Sequence, residues 1–240
     1  MFSLHIMEWN AKGLMQHRHE LQTILHTENI DICLISETHF IKESYIRIKN
    51  YSTYLCNHPA NTVRGGSAVI IKNNIKHHEE EKYATYYIQA ATVTIETTKQ
   101  KLNVSAIYCP PRYNIQVSEY NDLFNRLDSR FIIGGDFNTK HTHWGSRLIT
   151  PKGRELFKAA ADYGCEFIST GKPTYWPSDS NKTPDLIDFF IVKNVSTNCT
   201  RTEEGLDMNS DHSPILLTIS EKIIMEDPNR GQYIHRLGVF

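Results

Sequence analysis

Apolar and polar residues alternate through "SLHIMEW" (3–9), the period-two signature of a strand with one buried face. The next stretch, "LMQHRHELQTILHT" (14–27), sets Leu14, Leu21, Ile24 and Leu25 at helical spacing, and "DICLISE" (31–37) then reads as a short buried strand. Strand, helix and strand in succession predict a layered α/β unit. Further strands are expected at 51–56, 67–72, 86–96 and 101–108, which are rich in β-branched and aromatic residues, and late strands at 185–192 and 213–220. Helices are expected at 117–127 and 151–164, the second opening on Pro151 and closing on Gly164. Many short strands among few helices predict an α/β fold of two packed sheets with helices outside.

A chain of 240 residues with 40% hydrophobic and 22% charged residues has the makeup of one large globular domain. No apolar run approaches the roughly 18 residues of a membrane span, and the N-terminus, with His5 and Glu8 early, lacks the features of a signal peptide. An intracellular location is the expectation. Cys33, Cys56, Cys109, Cys165 and Cys199 are irregularly spaced, which suggests reduced thiols rather than a disulfide framework or a zinc site. The formal net charge of −1 removes any whole-protein argument for nucleic-acid binding, so contacts to a polyanion must come from a local patch or a metal.

Several polar residues stand where predicted strands stop. Asn10 follows "HIMEW", Glu37 follows "ICLIS", Tyr108 follows "VSAI", and Asp136 and Asn138 follow "FIIGG"; Asp211 and His212 precede "SPILLTI". Taken singly, each has an ordinary explanation as a turn, cap, core or surface residue. Asp188 is different, because an acid between Leu186-Ile187 and Phe189-Phe190 is costly to bury unless it is paired or ligates a metal. Together the acids and amides form an oxygen-rich set suited to a hard divalent cation, with Asp136 and Asn138 placed to activate and orient a water and Tyr108 and His212 to meet a phosphate. Strand-like spacing puts Asp136 and Asn138 on one side, and the preceding Gly134-Gly135 is read as permitting a tight turn. Hydrolysis of a phosphate ester is the reaction class that fits.

The ordered motifs "EWNAKGL" (8–14), "LISETH" (34–39), "IYCPPR" (107–112), "GGDFNTKHTHWG" (134–145), "LIDFFIV" (186–192) and "SDHSPI" (210–215) resemble the endonuclease–exonuclease–phosphatase superfamily. "GGDFNTKHTHWGSRL" followed by the "GRELF" helix is most similar to the apurinic-endonuclease-like domain of LINE-type, non-LTR retrotransposons of the jockey-like group. The resemblance implies a four-layered α/β sandwich, with two stacked mixed β-sheets flanked by helices. It implies a Mg²⁺-dependent endonuclease, with Mn²⁺ as a possible substitute, that nicks double-stranded target DNA to leave a 3′-hydroxyl priming reverse transcription during integration. Residues 1–222 would form that domain and 223–240 a linker toward a reverse transcriptase domain of the polyprotein, acting with element RNA in the nucleus and without a membrane.

By position, the resemblance makes Glu37 the principal metal ligand, assisted by Asn10. Asp136 would activate the attacking water, Asn138 orient it and Tyr108 contact the phosphate. Asp188 and His212 would act on the scissile phosphate, with Asp211 orienting His212 and joining the metal shell. Repair-type relatives carry an acid where this chain has Lys12, which weakens the alternative of an apurinic/apyrimidinic repair endonuclease. Another phosphoesterase of the superfamily, or a DNA-tethering module without catalysis, is the remaining alternative.

For target contact, "KPTYWPSDSNKTPD" (172–185) offers Tyr175 and Trp176 as wedges between base steps and Lys172 and Lys182 for phosphates; the other reading is an ordinary surface loop. Arg64 and Arg112 are further phosphate candidates, while Lys72 reads as surface charge. Trp144 is either a packed aromatic or a DNA contact.

Overall fold

In each of two stacked sheets a parallel pair forms the centre. The computed structural model describes residues 3–98, 100–196, 200–220 and 223–225. In the first sheet β1 (Ser3–Asn10) runs parallel to β2 (Ile32–Ser36), joined by helix α1 (Arg18–Thr27). Beyond β2 lie β4 (Ser67–Lys72) and β3 (Tyr51–Cys56), and beyond β1 lie β13 (Ile215–Ser220) and β12 (Thr200–Glu204), all antiparallel to their neighbours. In the second sheet β8 (Leu102–Tyr108) runs parallel to β9 (Phe131–Asp136), joined through helix α2 (Val117–Phe124). There β7 (Gln89–Ile95) borders β8 and carries β5 (His77–Glu79) and β6 (Tyr83–Ala84); β11 (Asp188–Lys193) borders β9 and carries β10 (Glu166–Ile168). Helix α3 (Pro151–Tyr163) follows β9.

Strand alternation explains the layering. The inward faces pack Leu4, Ile6, Leu34, Val69, Val104 and Phe190 into a core between the sheets. The outward faces are covered by helices, Leu21 and Leu25 of α1 on one side and Tyr120, Phe124 and Leu156 of α2 and α3 on the other. Each fully buried Leu, Ile or Phe contributes about 1.5–3 kcal/mol, so both faces of both sheets are anchored by burial. The expected sandwich of two mixed sheets flanked by helices is borne out.

Local departures have local causes. The stretch 14–27 divides into a 3₁₀ turn, Leu14–His17, and α1. β5, β6, β10 and β12 were not expected, being two to five residues long and largely polar at sheet margins. Gly134 and Gly135 lie inside β9 rather than at a turn. A Cβ on Gly134 would sit 2.7 Å from the Phe190 ring, and one on Gly135 would fall 1.9 Å from the Ile107 carbonyl oxygen. These glycines allow close approach of neighbouring backbone and of the opposite sheet. At the other end of the chain, Ile224 exchanges backbone hydrogen bonds with Lys76 and Glu96, so packing continues past the expected boundary at 222. The rest of the expected linker, 226–240, lies outside the described residues, as does Cys199.

Register brings the strand ends together. Tyr108 lies beside Asp136 in the parallel pair, Asp188 opposite Asp136 in the antiparallel pair, and Asn10 beside Ser36, the residue before Glu37.

Candidate active site

Asp136 ends β9 fully inside the protein, and its carboxylate collects donors from three directions. Oδ1 accepts the Asn138 backbone N–H at 2.7 Å; Oδ2 accepts Asn138 Nδ2 at 2.7 Å and Asn10 Nδ2 at 2.8 Å. Asn138 reaches back because its backbone is left-handed, φ 46°, rather than strand-like. It therefore meets Asp136 through a turn, which corrects the expectation of two residues side by side on a strand. Ser36 Oγ accepts the Asp136 N–H at 2.9 Å and donates to the Ile107 carbonyl at 2.8 Å, fixing the strand end across the two sheets.

Asp188 begins β11, and its Oδ2 lies 2.8 Å from His212 Nδ1 and accepts Thr174 Oγ1 at 2.6 Å. The acid that was costly to bury is paired, as its apolar flanks required. Asp188, not Asp211, holds the imidazole. Asp211, in the bend before His212, pairs instead with Lys12, Nζ to Oδ2 at 2.7 Å. Burial alone would lower the His212 pKa, but the charge and hydrogen bond of Asp188 prevail and raise it to about 9. For Asp136, burial and then the nearby Asp188 charge push the carboxyl up to about 8.

Glu37, half-buried after β2 with φ 52°, has Oε2 3.2 Å from His39 Nε2. Burial would raise its pKa; hydrogen bonds from His39, Tyr108 and Asn10 hold it below the usual value. Tyr108 is buried, and burial together with the Glu37 and Asp136 charges keeps its hydroxyl protonated.

Glu8, Ser36, His39 and Thr174 were not singled out from the sequence. Glu8 is wholly buried and neither carboxylate oxygen has a partner; burial, Asp188 and Asp136 raise its pKa well above normal, favouring the neutral acid. The signal for Glu8 was available, since it alternates with Ile6 and Asn10 on the inward face of β1. Ser36 and Thr174 act through tertiary contacts that no local pattern records.

The acid-rich floor suits a cation. Asp136, Asp188 and His212 offer ligand atoms within 4.8 Å of one another, and Asp188 Oδ1 is buried without a partner. A buried carboxyl whose pKa is raised beside a second acid, as at Asp136, is the setting that a divalent ion relieves.

The expected DNA-contact residues divide. Tyr175 is half-buried with its ring 4.9 Å from that of His212, whereas Trp176 is 49% exposed and donates Nε1 to Ser213 Oγ at 2.9 Å. Lys172 pairs with Glu204 at 2.9 Å, and Lys182 is exposed. Arg64 and Arg112 are exposed beside Tyr108. Lys72 pairs with Asp31, as its surface reading implied. Trp144 is a packed aromatic, 2% exposed, with its ring 4.8 Å from Phe189.

Carboxylates, amides and an acid-held imidazole at one edge of a double sheet define a phosphoesterase-type centre, and the chain belongs to the Endonuclease/Exonuclease/phosphatase family, whose profile matches residues 7–212. Among particular relatives, it is 34% identical over 217 residues to the RNA-directed DNA polymerase from mobile element jockey of Drosophila melanogaster, covering 90% of this chain and 24% of that protein. The chain spans about a quarter of the length of the curated relatives it matches. The jockey-like resemblance expected from the motifs is thus borne out. Its fold is similar to the endonuclease domain of TRAS1, a telomere-specific non-LTR retrotransposon, with a TM-score of 0.74 at 18% identity over 91% of this chain and 98% of that one. It is similar also to the AP endonuclease LMAP from Leishmania major, TM-score 0.76 at 12% identity over 90% and 87% of the two chains. Among the described residues no helix is long and apolar enough to cross a membrane.

Proposed function

We propose that this chain is the endonuclease domain of a jockey-like non-LTR retrotransposon, and that it nicks one strand of duplex DNA in a Mg²⁺-dependent hydrolysis. The observation that carries this reading is the convergence of Asp136, held by Asn10 and Asn138, with the Asp188–His212 pair at the same strand ends. Glu37 and Asn10 would hold the Mg²⁺, with Mn²⁺ able to substitute. The ion would supply positive charge against the phosphate and the departing oxygen.

The protein's own groups account for the rest. Asp136, whose raised pKa a bound cation would bring back down, would take a proton from the attacking water, which Asn138 would help to orient. Asp188 fixes the proton on His212 Nδ1, leaving Nε2 to donate to a phosphate oxygen, and the raised pKa keeps the imidazole charged at neutral pH. The Tyr108 hydroxyl, which donates to Glu37 in the free chain, would donate to the same phosphate in its place. Asp211, occupied by Lys12, holds the rim rather than the imidazole. The product is a 3′-hydroxyl. In the full polyprotein a reverse transcriptase domain would extend it along element RNA, in the nucleus.

Intact and abasic oligonucleotide duplexes, compared at equal concentration with Mg²⁺, test the reading. Nicking of the intact duplex at rates comparable to the abasic one is expected; strong preference for the abasic duplex would replace it with a repair endonuclease.

A further inference from the structure

Next to Tyr108 opens a pocket of about 230 Å³, whose walls include Pro110 and Pro111 and whose polar lining includes His58, Arg64 and Arg112. His58 is only 6% exposed. Its Nδ1 accepts the Ala60 backbone N–H at 3.2 Å and lies 3.2 Å from Thr62 Oγ1, so the neutral ring carries its proton on Nε2. That Nε2 is buried and, among the described residues, has no hydrogen-bond partner. Among the described residues neither Arg64 nor Arg112 forms an ion pair with a carboxylate. The His58 pKa is pushed below its ordinary value by burial and then by the charges of Arg112 and Arg64, which line the same pocket. The pocket thus gathers two exposed guanidinium groups, that of Arg112 lying over the Tyr113 ring at 4.7 Å, and one buried ring donor, and a buried donor left unsatisfied is costly.

The place is fixed firmly. Gly65, at φ 60°, lies so close to Tyr108 that a Cβ would come within 2.9 Å of its ring, holding Arg64 at the pocket mouth. Tyr108, which lines the pocket, neighbours Asp136 across the parallel strand pair, so the pocket adjoins the hydrolytic floor.

We infer that this pocket binds a single phosphate of the nicked DNA strand, the neighbour of the phosphate that is cut, through Arg64, Arg112 and the Nε2–H of His58. The inference rests on the nuclease reading and specifies how that site grips its substrate. It makes Arg64, Arg112 and His58 positioning residues, since they hold the strand without touching the reacting atoms.

The test uses a duplex with one mapped nick site and a neutral methylphosphonate at each phosphate in turn. Substitution next to the nick should slow nicking by the wild-type chain about tenfold, as expected for a lost charge-assisted contact. The Arg64→Ala/Arg112→Ala variant should be slowed already and show no further loss at that position. Its DNA affinity should lose about 0.9 from the slope of log K against log salt, the value for one phosphate contact, whereas Arg201→Ala should leave the slope unchanged. His58→Phe, which keeps a ring where the imidazole meets that of Tyr86 edge-on at 5.4 Å, should weaken binding several-fold. Identical methylphosphonate profiles for wild type and double variant would overturn the pocket, as would a slope change near 1.8, which would put the arginines on separate phosphates. A chain that neither binds nor nicks DNA would sink the nuclease reading and the pocket with it; nicking with a flat profile would sink the pocket alone.

Discussion

Residues 172–184 reach the site beside Asp188 and His212, and residues 57–66 reach it beside Glu37 and Tyr108, yet their polar groups are used in opposite ways. In the first segment Thr174 donates to Asp188, the Tyr175 ring packs on His212, Trp176 donates its backbone N–H to the Asp211 carbonyl at 2.8 Å, and Lys172 is neutralised by Glu204. In the second, Gly65 and Gly66 carbonyls accept the His39 and Thr38 N–H groups, while Arg64 projects without a counter-charge. The first segment supports the imidazole while leaving Trp176 and Lys182 exposed, and the second carries Arg64, which among the described residues has no carboxylate partner. A lysine or tryptophan in a loop is thus informative only once its partners are known.

The contrast is tested most severely at the support. Asp188→Asn should cut nicking about 10³-fold, because it releases the imidazole and removes the charge that keeps it protonated. Thr174→Val should cost about 10–100-fold in kcat with KM little changed, and Thr174→Ser should restore most of it. An equal loss in the serine variant would mean that Thr174 matters only for packing.

pH sharpens the same point. The folded pKa of His212 lies above its unfolded value, so the stability this pair contributes is complete below pH 6.5 and is lost as pH rises through about 9. Nicking should fall over that upper range, and the midpoint should move down in Asp188→Asn. A pH–rate profile that is the same in both proteins would contradict the role given to the pair. The smallest effect is expected at Lys172→Ala and Lys182→Ala, within about twofold in affinity, as exposed charges contribute little. A loss as large as that for Arg64→Ala/Arg112→Ala would reverse the comparison.

How much of this was legible beforehand follows from where the information resides. Alternation and apolar runs marked the long strands, polar residues at their ends marked Asn10, Glu37, Tyr108 and Asp136, and the cost of burying an acid between apolar neighbours marked Asp188, because strand period and burial cost are local properties. Short polar edge strands carried no such signal. The partner of His212 was misassigned to Asp211 because sequence adjacency is a poor guide to side-chain direction, whereas Asp188 reaches it from a different strand. Glu8 passed unnoticed as one polar step in an alternating strand, although its inward phase places it under Asp136 and Asp188. The glycines of "GGDFN" were read for turning, but strand packing sets their need for space.

The central claim is that the strand-end cluster hydrolyses DNA. Conversion of supercoiled plasmid to open circles, followed with Mg²⁺ and with EDTA, tests it directly when the wild-type chain is run beside Glu37→Ala, Asp136→Ala and His212→Ala. Open circles should form only with Mg²⁺, and each variant should lose at least about 10²-fold in rate. Nicking by all three variants at the wild-type rate would contradict the account.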